Sequence, residues 1–307
     1  MLAAALLVPT AVFLASQYAY DPGLTAFSAL GLAYAFAEWQ EPESRVTWER
    51  ALIVFGSLTL GCLTKAVYFP LLLIPMMLPK RKFREVGERA GRGEMTRHAF
   101  LLLGAAGMLI LLATFMIPLV KGGTEGDMRG GLEVDVYGQI RWILENPFRY
   151  ARVLINFLLQ FLSWRNSAPT LTSFAYMGFS SKAVVYLALL GILALTDKTE
   201  ADRSLARSVL GRALSLLALL AVLVLISTAL YVAYTGVGSE TIQGVQHRYL
   251  IPLLFPFMMI LGSGLISRPL KLGTAWRREV YNGLAFPVVA WVLFNGIWET
   301  CISRFIL

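Results

Sequence analysis

The stretch Leu58–Lys82, LTLGCLTKAVYFPLLLIPMMLPKRK, decides how the chain folds, because a single charge, Lys65, stands within its apolar part before Lys80. From Ala51 to Pro79 the chain runs 29 residues with no other charged side chain. As a single helix that run would be about 44 Å long, against a hydrocarbon core of about 30 Å. It would also hold a bare ammonium in mid-membrane, at a cost of roughly 2.5–3.5 kcal/mol. Two antiparallel helices, 47–64 and 66–84, remove both difficulties. Each measures about 27 Å, and Lys65 falls in the turn between them, at one surface. Pro70 and Pro75 shorten or bend the second arm, and its basic end KRKFR snorkels into the opposite interface.

The rest of the chain agrees with a lipid solvent. Of its 307 residues 57% are hydrophobic and 15% charged, and mean hydropathy is +0.64. An ordinary soluble domain is about a quarter charged. Apolar segments recur at 1–19, 23–39, 99–120, 183–196, 213–235, 249–267 and 282–299. With the hairpin they make nine expected spans. The fold class read from this pattern is all-α, a polytopic helical bundle forming a single membrane domain over 1–307. The net charge of +8 invites a nucleic-acid partner. However, Lys and Arg cluster in short segments between apolar runs, so the partner implied is the bilayer and not a nucleic acid. Cys62 and Cys301 give neither a disulfide framework nor a metal spacing.

Segments 80–98, 197–212 and 268–280 carry seven, four and four Lys or Arg. With the hairpin in place all three fall on one side, which the positive-inside rule makes cytoplasmic. Segment 40–50 falls there too, though acidic on balance. The other face collects Tyr20-Asp21-Pro22, Lys65, the loop 121–182 and Gly236–Arg248. Within that loop, VYGQIRWILENPFRYARVLINFLLQFLSW mixes aromatic and aliphatic residues with Arg141, Arg149 and Arg152. This is the pattern of a helix lying in the interface, or of a pair broken at Asn146-Pro147.

Candidate binding residues gather on that same face. Asp21, in SQYAYDPG, is either turn chemistry capping a helix that starts near Gly23 or a carboxylate at the mouth of a cavity. Lys65 either snorkels to a headgroup or grips a lipid phosphate through charge-assisted hydrogen bonds. Gln246, His247, Arg248 and Tyr249 bring an amide, an imidazole, a guanidinium and a phenol into four consecutive positions. There Arg248 can clamp a phosphate bidentately. His98 reads as a solvated residue of the basic loop, and with two histidines zinc has no support. Glu125, Asp127, Glu133 and Asp135 offer oxygens to a hard divalent cation, but a solvated acidic loop accounts for them more simply. No other cofactor is expected, for the chain has no Walker loop, dinucleotide fingerprint or nucleophile elbow.

Four features, in order, resemble a bacterial polytopic membrane family, the domain of unknown function 2142. They are Ser16…Tyr20-Asp21, Thr64-Lys65…Tyr68…Pro70, QIRWILENPFRYARVLIN and GVQHRYLIPLL, and the resemblance covers almost the whole chain. That family in turn looks like the GT-C glycosyltransferase superfamily, whose members take polyprenyl-phosphate sugars on the extracytoplasmic side. VPTAVFLASQYAYDPG and GSLTLGCLTKAVYFP are similar to its Pro…Asp turn and its Leu-Thr-Lys hairpin. The resemblance implies an enzyme of the bacterial cytoplasmic membrane, with Asp21, Lys65, Gln246, His247, Arg248 and Tyr249 lining a substrate and phosphate site. The donor would be a polyprenyl-phosphate sugar and the acceptor a cell-envelope glycan. In that superfamily the catalytic carboxylate stands in a loop between the first two helices, and none precedes Met1–Ala19 here. The expectation is that an N-terminal part is missing, and no catalytic base is assigned. Two rivals remain open: a transporter or flippase of lipid-linked sugars, and a non-catalytic remnant or assembly subunit.

Overall fold

The structure is a computed structural model, and it describes residues 2–41, 43–85, 93–120, 134–171, 183–196, 209–261, 279 and 281–303. Among them every regular element is helical, and extended pairing is limited to two isolated bridges. In chain order the α-helices are α1 (Leu2–Leu6), α2 (Pro9–Ala15), α3 (Asp21–Gln40), α4 (Trp48–Leu63), α5 (Leu73–Met76), α6 (Arg97–Val120), α7 (Val136–Glu145), α8 (Pro147–Phe161), α9 (Trp164–Leu171), α10 (Ala183–Thr196), α11 (Val209–Ala233), α12 (Ile251–Leu261) and α13 (Phe286–Ile297). Arg97–Ile117 and Val209–Tyr234 are long and apolar enough to cross a membrane. Among the described residues, two of the nine expected spans thus qualify by length and composition. α4 and α10 are shorter, at 16 and 14 residues. Segment 1–19 is split in two, with Pro9 opening α2 where its missing N–H is no loss.

The hairpin around Lys65 is present. α4 begins under Thr47, whose side chain accepts from Arg50 N at 3.4 Å. It ends at Leu63, and Lys65 leaves helical geometry at φ −146°, ψ 85°. The return arm departs from expectation. In place of an α-helix over 66–84 it is a 3-10 helix, Ala66–Leu72, followed by the single turn α5. Pro70 and Pro75 cannot donate, which strips the α-helical ladder of two bonds in succession and leaves the tighter helix. At about 2.0 Å per 3-10 residue the arm is only about 20 Å long.

α3 and α4 pack side by side because glycines let them approach. A Cβ on Gly31 would stand 2.8 Å from both Leu58 Cγ and the Val54 carbonyl, and one on Gly61 would stand 2.9 Å from Phe27 Cβ. Around this pair runs a continuous apolar core containing Leu32, Phe36, Leu58, Leu71 and Leu72, with Phe36 edge-on to Phe255 of α12 at 5.7 Å. Tyr186 of α10 donates to Ala4 O at 2.6 Å, which ties in the first helix.

At the far end of α3 the chain knots itself. Val46 N donates to Lys82 O at 2.9 Å, Met95 N to Val46 O at 3.1 Å, and Arg84 N to Met95 O at 3.2 Å. KRKFR does not simply snorkel. Lys82 is fully buried, its ammonium 2.8 Å from Glu38 and donating to Glu41 O at 2.6 Å and Ser44 Oγ at 2.9 Å. Arg50 meets the same Glu38 at 2.6 Å and Glu41 at 3.1 Å. Two carboxylates and two cations therefore close this end.

Candidate functional site

The other end of the α3–α4 pair carries the sequence candidates. Asp21 is the first residue of α3, where a carboxylate suits the positive helix end. It does not precede a helix starting near Gly23, and capping is not its main use. One oxygen lies 3.2 Å from Lys65 Nζ and the other 3.5 Å from Arg248 Nη1. The antiparallel hairpin brings Lys65 to α3's start, and the 3-10 turn His247–Leu250 brings Arg248 to the same place. Three charges from three distant stretches of sequence thus share one spot.

Aromatic rings frame it. Lys65 Nζ sits over the Tyr249 ring at 3.7 Å and the Tyr20 ring at 4.7 Å, and the Arg248 guanidinium lies 5.6 Å from Tyr249. Each such contact is worth about 0.5–2 kcal/mol. Beneath them, fully buried Tyr68 donates its hydroxyl to Tyr249 O at 2.7 Å, fixing the turn that carries Arg248. Asp21 itself is buried, whereas Lys65 and Arg248 keep 17% and 32% of their side chains exposed.

The electrostatics leave the cluster short of anions. Among the described residues two cations share one carboxylate, and Arg248 Nε is buried without a hydrogen-bond partner. Burial lowers the Lys65 pKa from the ordinary lysine value to about 8; the Asp21 carboxylate opposes that fall and Arg248 adds to it. A buried donor without an acceptor is costly, so the arrangement favours an incoming anion with several acceptor oxygens.

Of the six sequence candidates, Asp21, Lys65, Arg248 and Tyr249 come together. Gln246 is exposed and opens the 3-10 turn. His247 faces elsewhere: its ring stacks on Phe161 at 4.2 Å and 9°, and its Nε2 meets Phe161 O at 3.0 Å. A carbonyl only accepts, so that nitrogen carries the proton. His247 thereby satisfies a carbonyl at the end of α8. Tyr20 and Tyr68 were not singled out as site residues, although both stand within the strings that carry the family resemblance. Glu125, Asp127 and Glu133 lie outside the described residues, and Asp135 caps α7 by accepting from Gly138 N at 3.0 Å.

The break expected at Asn146-Pro147 is also present. α7 and α8 break at Asn146, with Pro147 opening α8. They dock on the loop that leads to Arg248: Gly238 N donates to Gln139 Oε1 at 2.9 Å, and Arg149 meets Glu240 at 3.0 Å.

A family model described as Predicted membrane protein (DUF2142) matches residues 1–256, a span that holds the whole cluster. No curated protein matches the chain, and no solved structure does.

Proposed function

The chain belongs to the DUF2142 family of predicted membrane proteins, and we propose that its Asp21–Lys65–Arg248 cluster binds the phosphate of a polyprenyl-phosphate sugar for glycosyl transfer to a cell-envelope glycan. The observation that carries this reading is the surplus cation among the described residues, two positive groups on one carboxylate with Arg248 Nε buried and unpartnered there. A phosphodiester monoanion would neutralise the surplus and offer Arg248 a planar pair of acceptors. As the bond from sugar to phosphate breaks, charge grows on the departing lipid phosphate, and preorganised cations stabilise it there. The general base that would take the acceptor hydroxyl's proton is assigned to no residue. In this reading the bundle spans the bacterial cytoplasmic membrane with the cluster on its extracytoplasmic side, as the distribution of Lys and Arg among the loops suggests.

The test is binding of a polyprenyl phosphate to the full chain in nanodiscs. Arg248→Ala should weaken it about 10- to 100-fold, the range for a charge-assisted bond, with the thermal midpoint of the protein unchanged. Arg248→Lys should recover part of the loss, since charge survives but the fork does not. Binding unaltered in Arg248→Ala would remove this residue, and with it the proposed site.

A further inference from the structure

α8 presents two opposite faces with different partners. Tyr150, Val153, Phe157 and Phe161 point one way. Tyr150 bonds to Thr228 Oγ1 at 2.6 Å and packs on Tyr231 at 5.2 Å. Val153 is buried with Tyr231 and Ile242, with Phe157 and Val245 packed beside them, and Phe161 holds His247. From one end to the other, α8 therefore touches the last turns of α11 and then the loop behind them. It runs along the end of the molecule and does not cross it. Thr228 and Tyr231 lie only about 5–9 Å inside the end of the apolar run Val209–Tyr234, counting residues at 1.5 Å each.

The opposite face has no partner among the described residues. Phe148, Arg152, Ile155, Leu159 and Leu162 recur at helical spacing on one stripe, and all are exposed, Phe148 at 90% and Leu159 at 69%. Asn156 and Gln160 flank it, polar and exposed. An amphipathic helix at this depth, with an arginine among its apolar residues, fits the boundary between headgroups and acyl chains.

We infer that this stripe of α8 is bedded in the bilayer interface and makes the candidate site a lateral, lipid-fed one. Arg152 meets anionic headgroups, and the His247–Phe161 stack carries the helix's position to the adjacent Arg248. The inference names the route by which the ligand of the proposed function arrives, and so rests in part on that reading. The placement of α8 itself does not.

The experiment attaches an environment-sensitive fluorophore at Phe148→Cys, Leu159→Cys and Gln160→Cys, one at a time, in the full chain carrying Cys301→Ser. The protein is reconstituted in phosphatidylcholine–phosphatidylglycerol vesicles. Lipids brominated on their acyl chains should quench the 148 and 159 labels several-fold more than aqueous iodide does, and the 160 label should show the reverse. Quenching of 148 and 159 by iodide alone would overturn the inference by placing the stripe in water. Protection from both quenchers would overturn it by placing a protein there. Neither result bears on polyprenyl phosphate binding at Arg248, so the two readings fail separately.

Discussion

Lys65 couples the candidate site to pH in a direction that can be worked out. Its pKa stands at about 8 in the folded chain, and a bound phosphate stays anionic well above that. Raising pH from 7 to 9 removes the ammonium's charge, so affinity for a polyprenyl phosphate is expected to fall across that window. Stability should move the other way. The unfolded chain holds its lysine proton to about 10.4, so between the two values it binds more protons than the folded chain, and unfolding becomes harder as pH rises. Titrating binding and thermal midpoint together checks both signs, and Lys65→Arg should flatten the binding profile between pH 7 and 9. A profile equally steep in that variant would mean another group titrates. At this scale the sequence was legible where charge was conspicuous, as at Asp21, Lys65 and Arg248 in apolar surroundings. It misled at His247, whose position beside Arg248 says nothing of its ring's direction. It was silent on Tyr68, because a hydroxyl reaching a backbone carbonyl 181 residues away leaves no local pattern.

Between elements, the hairpin was legible from length and charge alone, since a 29-residue apolar run with one lysine has few other solutions. Its return arm was only half legible. Pro70 and Pro75 announced a shorter arm, but its 3-10 form depends on neighbours holding it, notably α11 and α6 packed alongside. The α3–α4 contact went unread because small residues signal close approach only once two helices are known to face each other. A paired substitution tests that contact. Gly31→Ala places a methyl 2.8 Å from Leu58 Cγ and from the Val54 carbonyl, whereas at Gly56 nothing lies within 4 Å. The side chain can shift but the carbonyl is held in its helix, so Gly31→Ala should cost about 1–3 kcal/mol. Gly56→Ala should gain about 0.5–1 kcal/mol from helix propensity. Thermal midpoints in one detergent should therefore move in opposite directions. Equal midpoints would show that α3 and α4 do not meet at Gly31.

Across the whole molecule, α3 carries a charged cluster at each end. Asp21 holds Lys65 and Arg248, and Glu38 holds Lys82 and Arg50. Seventeen residues apart on one helix, the two carboxylates are separated by about 26 Å, close to the hydrocarbon thickness of about 30 Å. In the proposed membrane reading, both clusters reach the two water-facing surfaces, with the apolar core between them in lipid, where such charges are costly. The sequence showed the first cluster's members but not the second: Lys82 was read only within the snorkelling KRKFR end, and nothing local links Glu38 and Arg50 to it. Sidedness follows and can be measured. Tyr18, fully exposed, lies three residues before Asp21, and Arg81, exposed, lies beside Lys82. In intact cells a membrane-impermeant thiol reagent should label Tyr18→Cys at once and Arg81→Cys only after permeabilisation. The reverse pattern would invert the orientation and move the phosphate site to the cytoplasm, beyond reach of an envelope acceptor. Labelling of both without permeabilisation would separate neither end from the outside and would sink the arrangement of α3 and α4 as a membrane-spanning pair. The remaining case bears on mechanism. If Arg248→Cys also reacts from the outside only, the cluster serves a transferase working on one face. If it reacts from either side in turn, the same residues carry a lipid across, and the function to pursue is transport.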